Sequence, residues 1–392
     1  MIGFPSIFDL NHSLREFDKP GVTGVSFRYP NRICKKSILF MGGAVVTEIN
    51  LSMPILVTGG SGYIASWIIK LLLENGQDVK ATVRDKSNEE KVGHLVKMGE
   101  KYSGKLELFE ADLLQSGSFE DAMMGSELVI HNASPFKIWG IKDPQKELIT
   151  PALEGTRNVL YTANKTQSVK RIVLTSSVVA VFGDAIDIKN TPNGIFTENE
   201  WNITSNLNHA PYSYSKTLAE REAWKIAEEQ NQWDLIVINP GFVLGPSLTN
   251  RIDSTSIDFM LSMINGKYKS GVPALYFGIV DVRDIAKAHI LAGTKASASG
   301  RHILVAKTIS FFEIANILKK ENGKYPLPKG KIPKFLVYLI GPLQGLSWKY
   351  TKLNVGIPIN FDNSYSKKDL GIEYTPIAVS YTHLTLPTIL LV

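Results

Sequence analysis

Val57-Thr-Gly-Gly-Ser-Gly-Tyr-Ile-Ala65 is the stretch that decides the fold. It opens with the end of a short apolar run, Ile55–Thr58, of the length of a buried strand. It closes into a segment with Ile64, Ile68, Leu71 and Leu72 at helical spacing. Between the two, Gly59, Gly62 and Ala65 fall in a G-x-x-G-x-x-A pattern. Gly59 allows a tight turn, Gly62 lets the backbone approach a pyrophosphate, and Ala65 is small enough for the helix to sit on the strand. The first turn of the helix then offers N–H groups and a positive dipole end to phosphate. A glycine pattern alone is a weak signal. Between a strand and an amphipathic helix it points to a dinucleotide cradle.

Outward from this unit, strands and helices alternate. Val79–Val83, Leu106–Glu110, Leu128–Asn132, Arg171–Thr175 and Leu235–Ile238 read as strands. Glu147–Ala163 and Tyr212–Glu229 read as helices. The alternation predicts an α/β fold, a Rossmann-type doubly wound parallel sheet with helices on both faces. After Pro240 the pattern loosens and Gly and Pro recur. The expected organisation is a nucleotide-binding domain over 53–240 and a smaller C-terminal substrate-binding lobe over 241–379, partly interleaved with it.

Composition narrows the function classes. The chain has 392 residues, 44% of them hydrophobic and 20% charged, the balance of a globular protein. The net charge of +6 is carried by scattered lysines, with no dense basic run, so no nucleic-acid partner is expected. Cys34 is the single cysteine, which excludes an internal disulfide and a cysteine-based zinc site. The seven histidines form no metal-ligand pattern; only His131 lies beside the presumed crevice. No apolar stretch is long enough to span a bilayer, so no membrane partner is expected and a cytoplasmic location is. The best candidate, Phe335 to Trp348, is interrupted by Gly341-Pro342 and reads as a buried or substrate-lobe helix. Residues 1–52 lack sustained periodicity and read as a leader outside the fold, with Met53 as the functional start. Ser366–Leu370 reads as a helical turn closed by Gly371, and Tyr374–Ile377 should open a last helix. Residues 380–392 read instead as non-native sequence in place of that helix.

The end of the second strand selects the cofactor. An acid there holds the ribose 2′-hydroxyl of NAD, and a basic group meets the 2′-phosphate of NADP. The sequence has Val83-Arg84-Asp85, with Lys91 shortly after. Arg84 favours NADP(H), since a guanidinium grips a phosphate through two parallel N–H bonds; Asp85 is a sign toward NAD(H). Asp112, after the third strand, fits either the adenine edge or a helix cap, and both can hold.

Tyr212-Ser-Tyr-Ser-Lys216 supplies the chemistry. Four residues apart on a helix, Tyr212 and Lys216 share a face. An ammonium beside a phenol lowers its pKa, and a tyrosine so poised can protonate a carbonyl oxygen as hydride arrives at carbon. The fifth strand ends in Thr175-Ser176-Ser177, hydroxyls facing the ligand crevice. Ser177 is the expected hydrogen-bond donor to substrate, with Ser176 the neighbour most easily confused with it.

At these residues the chain resembles the extended short-chain dehydrogenase/reductases. It is most similar to the branch of dihydroflavonol 4-reductases, cinnamoyl-CoA reductases and fungal methylglyoxal/ketone reductases. The matching stretches, besides the glycine loop, are Ala81-Thr-Val-Arg-Asp85, His131-Asn-Ala-Ser-Pro-Phe136, Arg171-Ile-Val-Leu-Thr-Ser-Ser177, the Tyr212/Lys216 pair, Asn239-Pro-Gly-Phe-Val-Leu-Gly-Pro246 and Asp281-Val-Arg-Asp-Ile-Ala-Lys-Ala-His289. The resemblance implies Ser177, Tyr212 and Lys216 as the catalytic triad. It puts Arg84 and Lys91 on the 2′-phosphate and Asn239-Pro240-Gly241 beside the nicotinamide. Gly59, Gly62, Tyr63, Ile64, Asp112, Leu113, Ala133 and Val243 are implied as further cofactor contacts, and Phe136 as a substrate contact. The implied function is NADPH-dependent reduction of an aldehyde or ketone in a small molecule, by a monomer or homodimer. The competing readings are a sugar-nucleotide epimerase or dehydratase with NAD, and a non-catalytic NADP(H)-binding protein. The lobe after residue 245 has no feature that names a substrate.

Overall fold

The computed structural model describes residues 47–134, 140–249, 255–321, 324–377 and 379–380. The chain starts with β1 (Ile55–Thr58), α1 (Tyr63–Glu74), β2 (Val79–Val83), α2 (Glu89–Lys101), β3 (Leu106–Glu110), α3 (Glu120–Met123) and β4 (Leu128–His131). It continues with α4 (Thr150–Lys165), β5 (Arg171–Thr175), α5 (Pro211–Glu228), β6 (Asp234–Pro240) and β7 (Phe242–Leu244). Then come α6 (Thr255–Ile264), β8 (Val272–Pro273), β9 (Tyr276–Asp281), α7 (Val282–Thr294), β10 (Gly300–Leu304) and β11 (Lys307–Ser310). The last elements are α8 (Phe311–Glu321), β12 (Lys331–Ile332), α9 (Lys334–Ile340), α10 (Trp348–Asn354) and α11 (Ser364–Leu370).

The central sheet has seven parallel strands in the order β10-β6-β5-β4-β1-β2-β3. This is the doubly wound α/β arrangement. The order reverses between β1 and β4, and a ligand crevice opens at such a switch point, beyond the C-terminal ends of the strands. β1, β4 and β5 are buried along their whole length, as strands covered on both faces must be. One face packs on α1 and α7, with Ile68, Ile69, Leu72, Ile285 and Ala288 in its core. The other packs on α4 and α5, through Val159, Leu160, Ala223 and Ile226. A smaller sheet, β11-β9-β7, and the β12-β8 pair build the C-terminal region around Met263, Ile279, Phe311 and Leu318.

Several elements depart from the sequence reading. β10 closes one edge of the central sheet although it carries Arg301 and His302 in a five-residue strand. Both are buried because each meets a carboxylate: Arg301 meets Glu220, and His302 Nε2 lies 2.7 Å from Asp369. The helix expected over 147–163 starts as a π-helical turn, Gln145–Ile149, before α4. Pro151 lacks the N–H that would donate back to Glu147, so the first turn cannot close as an α-helix. The segment expected to be a buried helix from Phe335 to Trp348 is divided at Gly341 and largely exposed: Phe335, Leu339 and Leu343 all face solvent. α11 ends at Gly371 in the left-handed region, as its glycine foretold. Order begins before Met53: Ile49 packs on the core, and the Asn50 N–H donates to Glu127. Phe136, residues 1–46 and residues 381–392 lie outside the described residues.

Candidate active site

The glycine loop sits at the switch point. Gly59 has φ +69°, and a Cβ there would stand 2.9 Å from the Ala133 Cα. A Cβ on Gly62 would lie 3.1 Å from the Gly59 carbonyl oxygen. The first contact and the positive φ require glycine at 59, and the second is tight, so the two glycines keep the turn this close. Ala133 is held there by Thr58: its Oγ1 accepts the N–H groups of Asn132 (3.1 Å) and Ala133 (3.0 Å). Thr58 in turn donates to His131 Nδ1 at 2.9 Å. Burial lowers the His131 pKa to about 3, so the ring stays neutral and accepts. The residue watched as a crevice histidine is therefore part of the scaffold. α1 begins at Gly62 with no side-chain cap and no acid in its first turn. An uncapped positive helix end over a glycine turn fits a pyrophosphate.

Arg84 follows β2, is exposed, and engages no carboxylate among the described residues. Asp85 is turned onto its own loop: its Oδ1 accepts the Ser87 N–H at 2.8 Å and hydroxyl at 2.6 Å. These bonds lower the Asp85 pKa and tie down a carboxylate oxygen that a ribose would need. Lys91 lies in the first turn of α2, whose cap is Asn88. The residues present thus fit an NADP-type dinucleotide. Asp112 caps its own turn, with Oδ1 accepting the Leu114 N–H at 2.8 Å. Leu113 packs beside Gly155 of α4. The Tyr63 hydroxyl donates to the Gly245 carbonyl at 2.6 Å, clamping the segment after β7 onto α1, while Ile64 packs against the core. Any cofactor contact from Tyr63 therefore falls to its backbone or ring.

The other end of the crevice holds the side chains expected to react. Ser176 is buried and donates to Glu220 Oε2. Ser177 is extended and half-buried, and among the described residues its Oγ accepts only a long bond, 3.3 Å, from the Val179 N–H. Its own hydrogen remains available to a substrate oxygen. The turn that follows it, Val178–Ala180, packs on α5. α5 begins at Pro211 after Ala210 in the left-handed conformation, which places Tyr212 and Lys216 in its first turns. Lys216 is buried and donates to Ser134 Oγ at 2.9 Å. Burial lowers its pKa to about 8, opposed by the Glu220 charge. The Tyr212 pKa is raised by burial and not lowered as the sequence suggested. Desolvation of the phenolate is the cause.

Sequence reasoning missed Glu220 and Arg301. Glu220 lies four residues after Lys216, fully buried under the site. Its carboxylate accepts from Ser176, from Asn239 Nδ2 at 2.7 Å, and from Arg301. Asn239 Nδ2 also donates to the Ser177 carbonyl at 3.1 Å. Arg301 stacks on Trp201, 3.9 Å from ring centre to guanidinium, and donates to the carbonyls of Glu198 and Glu200. One carboxylate so ties the ends of β5 and β6 to α5. The only sequence signal was an acid in register with Lys216. Pro240 ends β6, Val243 pairs with β9, and Gly241 passes so close to β9 that a Cβ would meet the Gly278 oxygen at 2.2 Å. The Asp281–His289 stretch is structural. Asp281 caps α7, Asp284 holds Thr375, and His289 accepts from Thr175 while donating to the Ile285 carbonyl.

Comparison with known proteins agrees with this geometry. The family model described as NAD dependent epimerase/dehydratase family matches residues 55–306. The cinnamoyl-CoA reductase CAD2 of Medicago truncatula is 42% identical over 340 residues, covering 86% of this chain and 95% of that protein. Tetraketide alpha-pyrone reductase 1 of Arabidopsis thaliana is 39% identical over 278 residues, covering 70% and 83%. Among solved structures, yeast methylglyoxal/isovaleraldehyde reductase Gre2 complexed with NADPH superposes with a TM-score of 0.72 at 26% identity, covering 86% of this chain and 99% of that one.

Proposed function

The chain belongs to the NAD dependent epimerase/dehydratase family, and on that premise we propose that it is an NADPH-dependent reductase acting on the aldehyde or ketone carbonyl of a small molecule. The observation that carries this reading is the division of labour at the end of β5. Ser176 is engaged by Glu220, while Ser177 is left at the crevice with a hydroxyl hydrogen to donate, against the helix that bears Tyr212 and Lys216. Relatives of high coverage bear reductase names, and one solved neighbour holds NADPH.

The reduced cofactor supplies the hydride; this chain's residues do the rest. The glycine turn and the N-terminus of α1 receive the pyrophosphate. Arg84 and Lys91 meet the 2′-phosphate, which Asp85 does not repel from the same spot because its carboxylate is turned onto Ser87. Ser177 donates a hydrogen bond to the carbonyl oxygen and fixes it near Tyr212. Tyr212, kept fully protonated by burial, gives its proton to that oxygen as negative charge develops there. Lys216, charged below about pH 8, stabilises the phenolate that remains. Glu220 keeps Lys216 charged by its field and holds the serine turn in place.

The test is cofactor oxidation followed by absorbance, with NADPH and NADH in parallel, against aldehydes, α-dicarbonyls, ketones and dihydroflavonols. NADPH consumption with at least one class, faster than NADH, is the expected outcome. A folded, NADPH-binding protein that consumes none of them contradicts the proposal and favours the epimerase or non-catalytic reading.

A further inference from the structure

α9 turns its apolar side outward. Phe335 is 65% exposed, Leu339 69%, Leu343 85% and Trp348 68%, with Leu336 and Ile340 exposed between them. The opposite side, through Val337 and Gly341, is buried against the C-terminal region. On α9 the exposed positions 335, 336, 339 and 340 recur at the spacing of one helix face, and Leu343 follows in the 3-10 turn after it. Trp348 closes the stripe: its indole N–H donates to the Tyr338 carbonyl at 3.0 Å, which sets the start of α10 against α9.

The surroundings of this stripe are basic. Residues 319–352 contain eight lysines and a single acid, Glu321. They are too widely spaced to read as a basic run in the sequence, but the fold gathers them. Lys334 Nζ donates to the carbonyls of Lys352 and Val355, so the segments before α9 and after it meet. Lys329, Lys331, Lys349 and Lys352 are exposed, Lys331 on β12 just before α9 and Lys349 beside Trp348 on α10.

We propose that α9 and the start of α10 form a peripheral docking face for an anionic lipid surface, with Phe335, Leu339, Leu343 and Trp348 inserted among the headgroups and the flanking lysines on their phosphates and carboxylates. The charge pattern selects this occupant. An apolar face flanked by lysines suits an interface that is apolar beneath and negative at its surface. A second copy docked through the same face across a two-fold axis would bring two lysine-rich stretches together, each with one acid of its own, Glu321, and with Glu313 already facing Lys331. The sequence reading expected no membrane partner because nothing spans a bilayer. Indeed no described helix is long and apolar enough to cross one, yet lying on a surface needs only one exposed face. The inference is independent of the reductase reading.

Vesicle co-sedimentation tests it, using phosphatidylcholine alone and phosphatidylcholine with phosphatidylserine, with sedimentation velocity of the lipid-free protein alongside. The wild-type chain, Leu339→Asp and the Lys329→Glu/Lys349→Glu double variant are compared. Wild type is expected to bind the phosphatidylserine vesicles at least about tenfold more tightly than the neutral ones, less so in high salt. Both variants are expected to lose about tenfold or more of that binding while melting like wild type, because the altered side chains are exposed. No wild-type binding to anionic vesicles, or equal binding by the variants, overturns the proposal. So does a wild-type dimer that Leu339→Asp splits in the absence of any lipid binding, which would make this a face between two copies.

Discussion

Ser176 and Ser177 are chemically identical neighbours with different duties, and their separation shows how the site works at the scale of single residues. One is engaged by a buried carboxylate; the other, which accepts a long bond from the Val179 N–H, is the one proposed to meet substrate. On the proposed mechanism Tyr212→Phe removes the proton donor, so kcat is expected to fall by about 10²- to 10⁴-fold, with NADPH affinity unchanged by fluorescence titration. Arg84→Gln removes a charged pair of donors at the end of β2. Its Kd for NADPH is expected to rise by about tenfold to a hundredfold, the equivalent of one charge-assisted contact, while that for NADH stays put. Lys216 loses its proton as pH rises through about 8, so kcat/KM is expected to fall on the alkaline side from there. The placement of these residues in the fold was legible because each has a fixed distance from a strand end or from a partner on the same helix face. The His131 and Asp112 side chains were ambiguous in sequence for the opposite reason: a buried neutral ring and a turn-capping carboxylate use the same residue types as a functional site.

Among the elements, α1 and α5 carry most of the proposed function, and each depends on one contact that sequence alone could not weigh. For α1 it is the turn that precedes it. Gly59→Ala forces a left-handed alanine, at about 1–2 kcal/mol, and drives a Cβ onto Ala133. A lower Tm and weakened NADPH binding are expected together. For α5 it is Glu220. Glu220→Gln leaves Arg301 buried without its counter-charge, which is expected to destabilise the protein by about 3–5 kcal/mol by denaturant titration. It also removes the field that raises the Lys216 pKa, so the alkaline limb of kcat/KM is expected to move to lower pH. A purely structural role would leave that limb where it is. The β1–α1 unit was legible because strand, glycine turn and apolar stripe all agree. β10 was not, because its arginine and histidine are made burial-compatible by partners far away in sequence, Glu220 and Asp369. Nor could periodicity tell that the apolar face of α9 points outward, since a stripe records amphipathicity and not what covers it.

Across the whole molecule, the parallel sheet does the assembling. Its C-terminal edge gathers the glycine turn after β1, Arg84 after β2, Ala133 after β4, the serines after β5 and Pro240 at the end of β6, residues spread over more than 150 positions. α5 then lays Tyr212 and Lys216 along that edge, and the region built on β7, β9 and β11 follows from β6. The central claim is that this edge passes hydride to a carbonyl. The most direct measurement is the fate of deuterium from NADPH labelled at the transferred position, followed by mass spectrometry in the product of a turned-over carbonyl substrate. One deuterium on the new carbinol carbon, for each NADPH oxidised, is the expected result. Conversion of substrate with no label retained and no net loss of NADPH would contradict a reductase and mark an enzyme that recycles its cofactor.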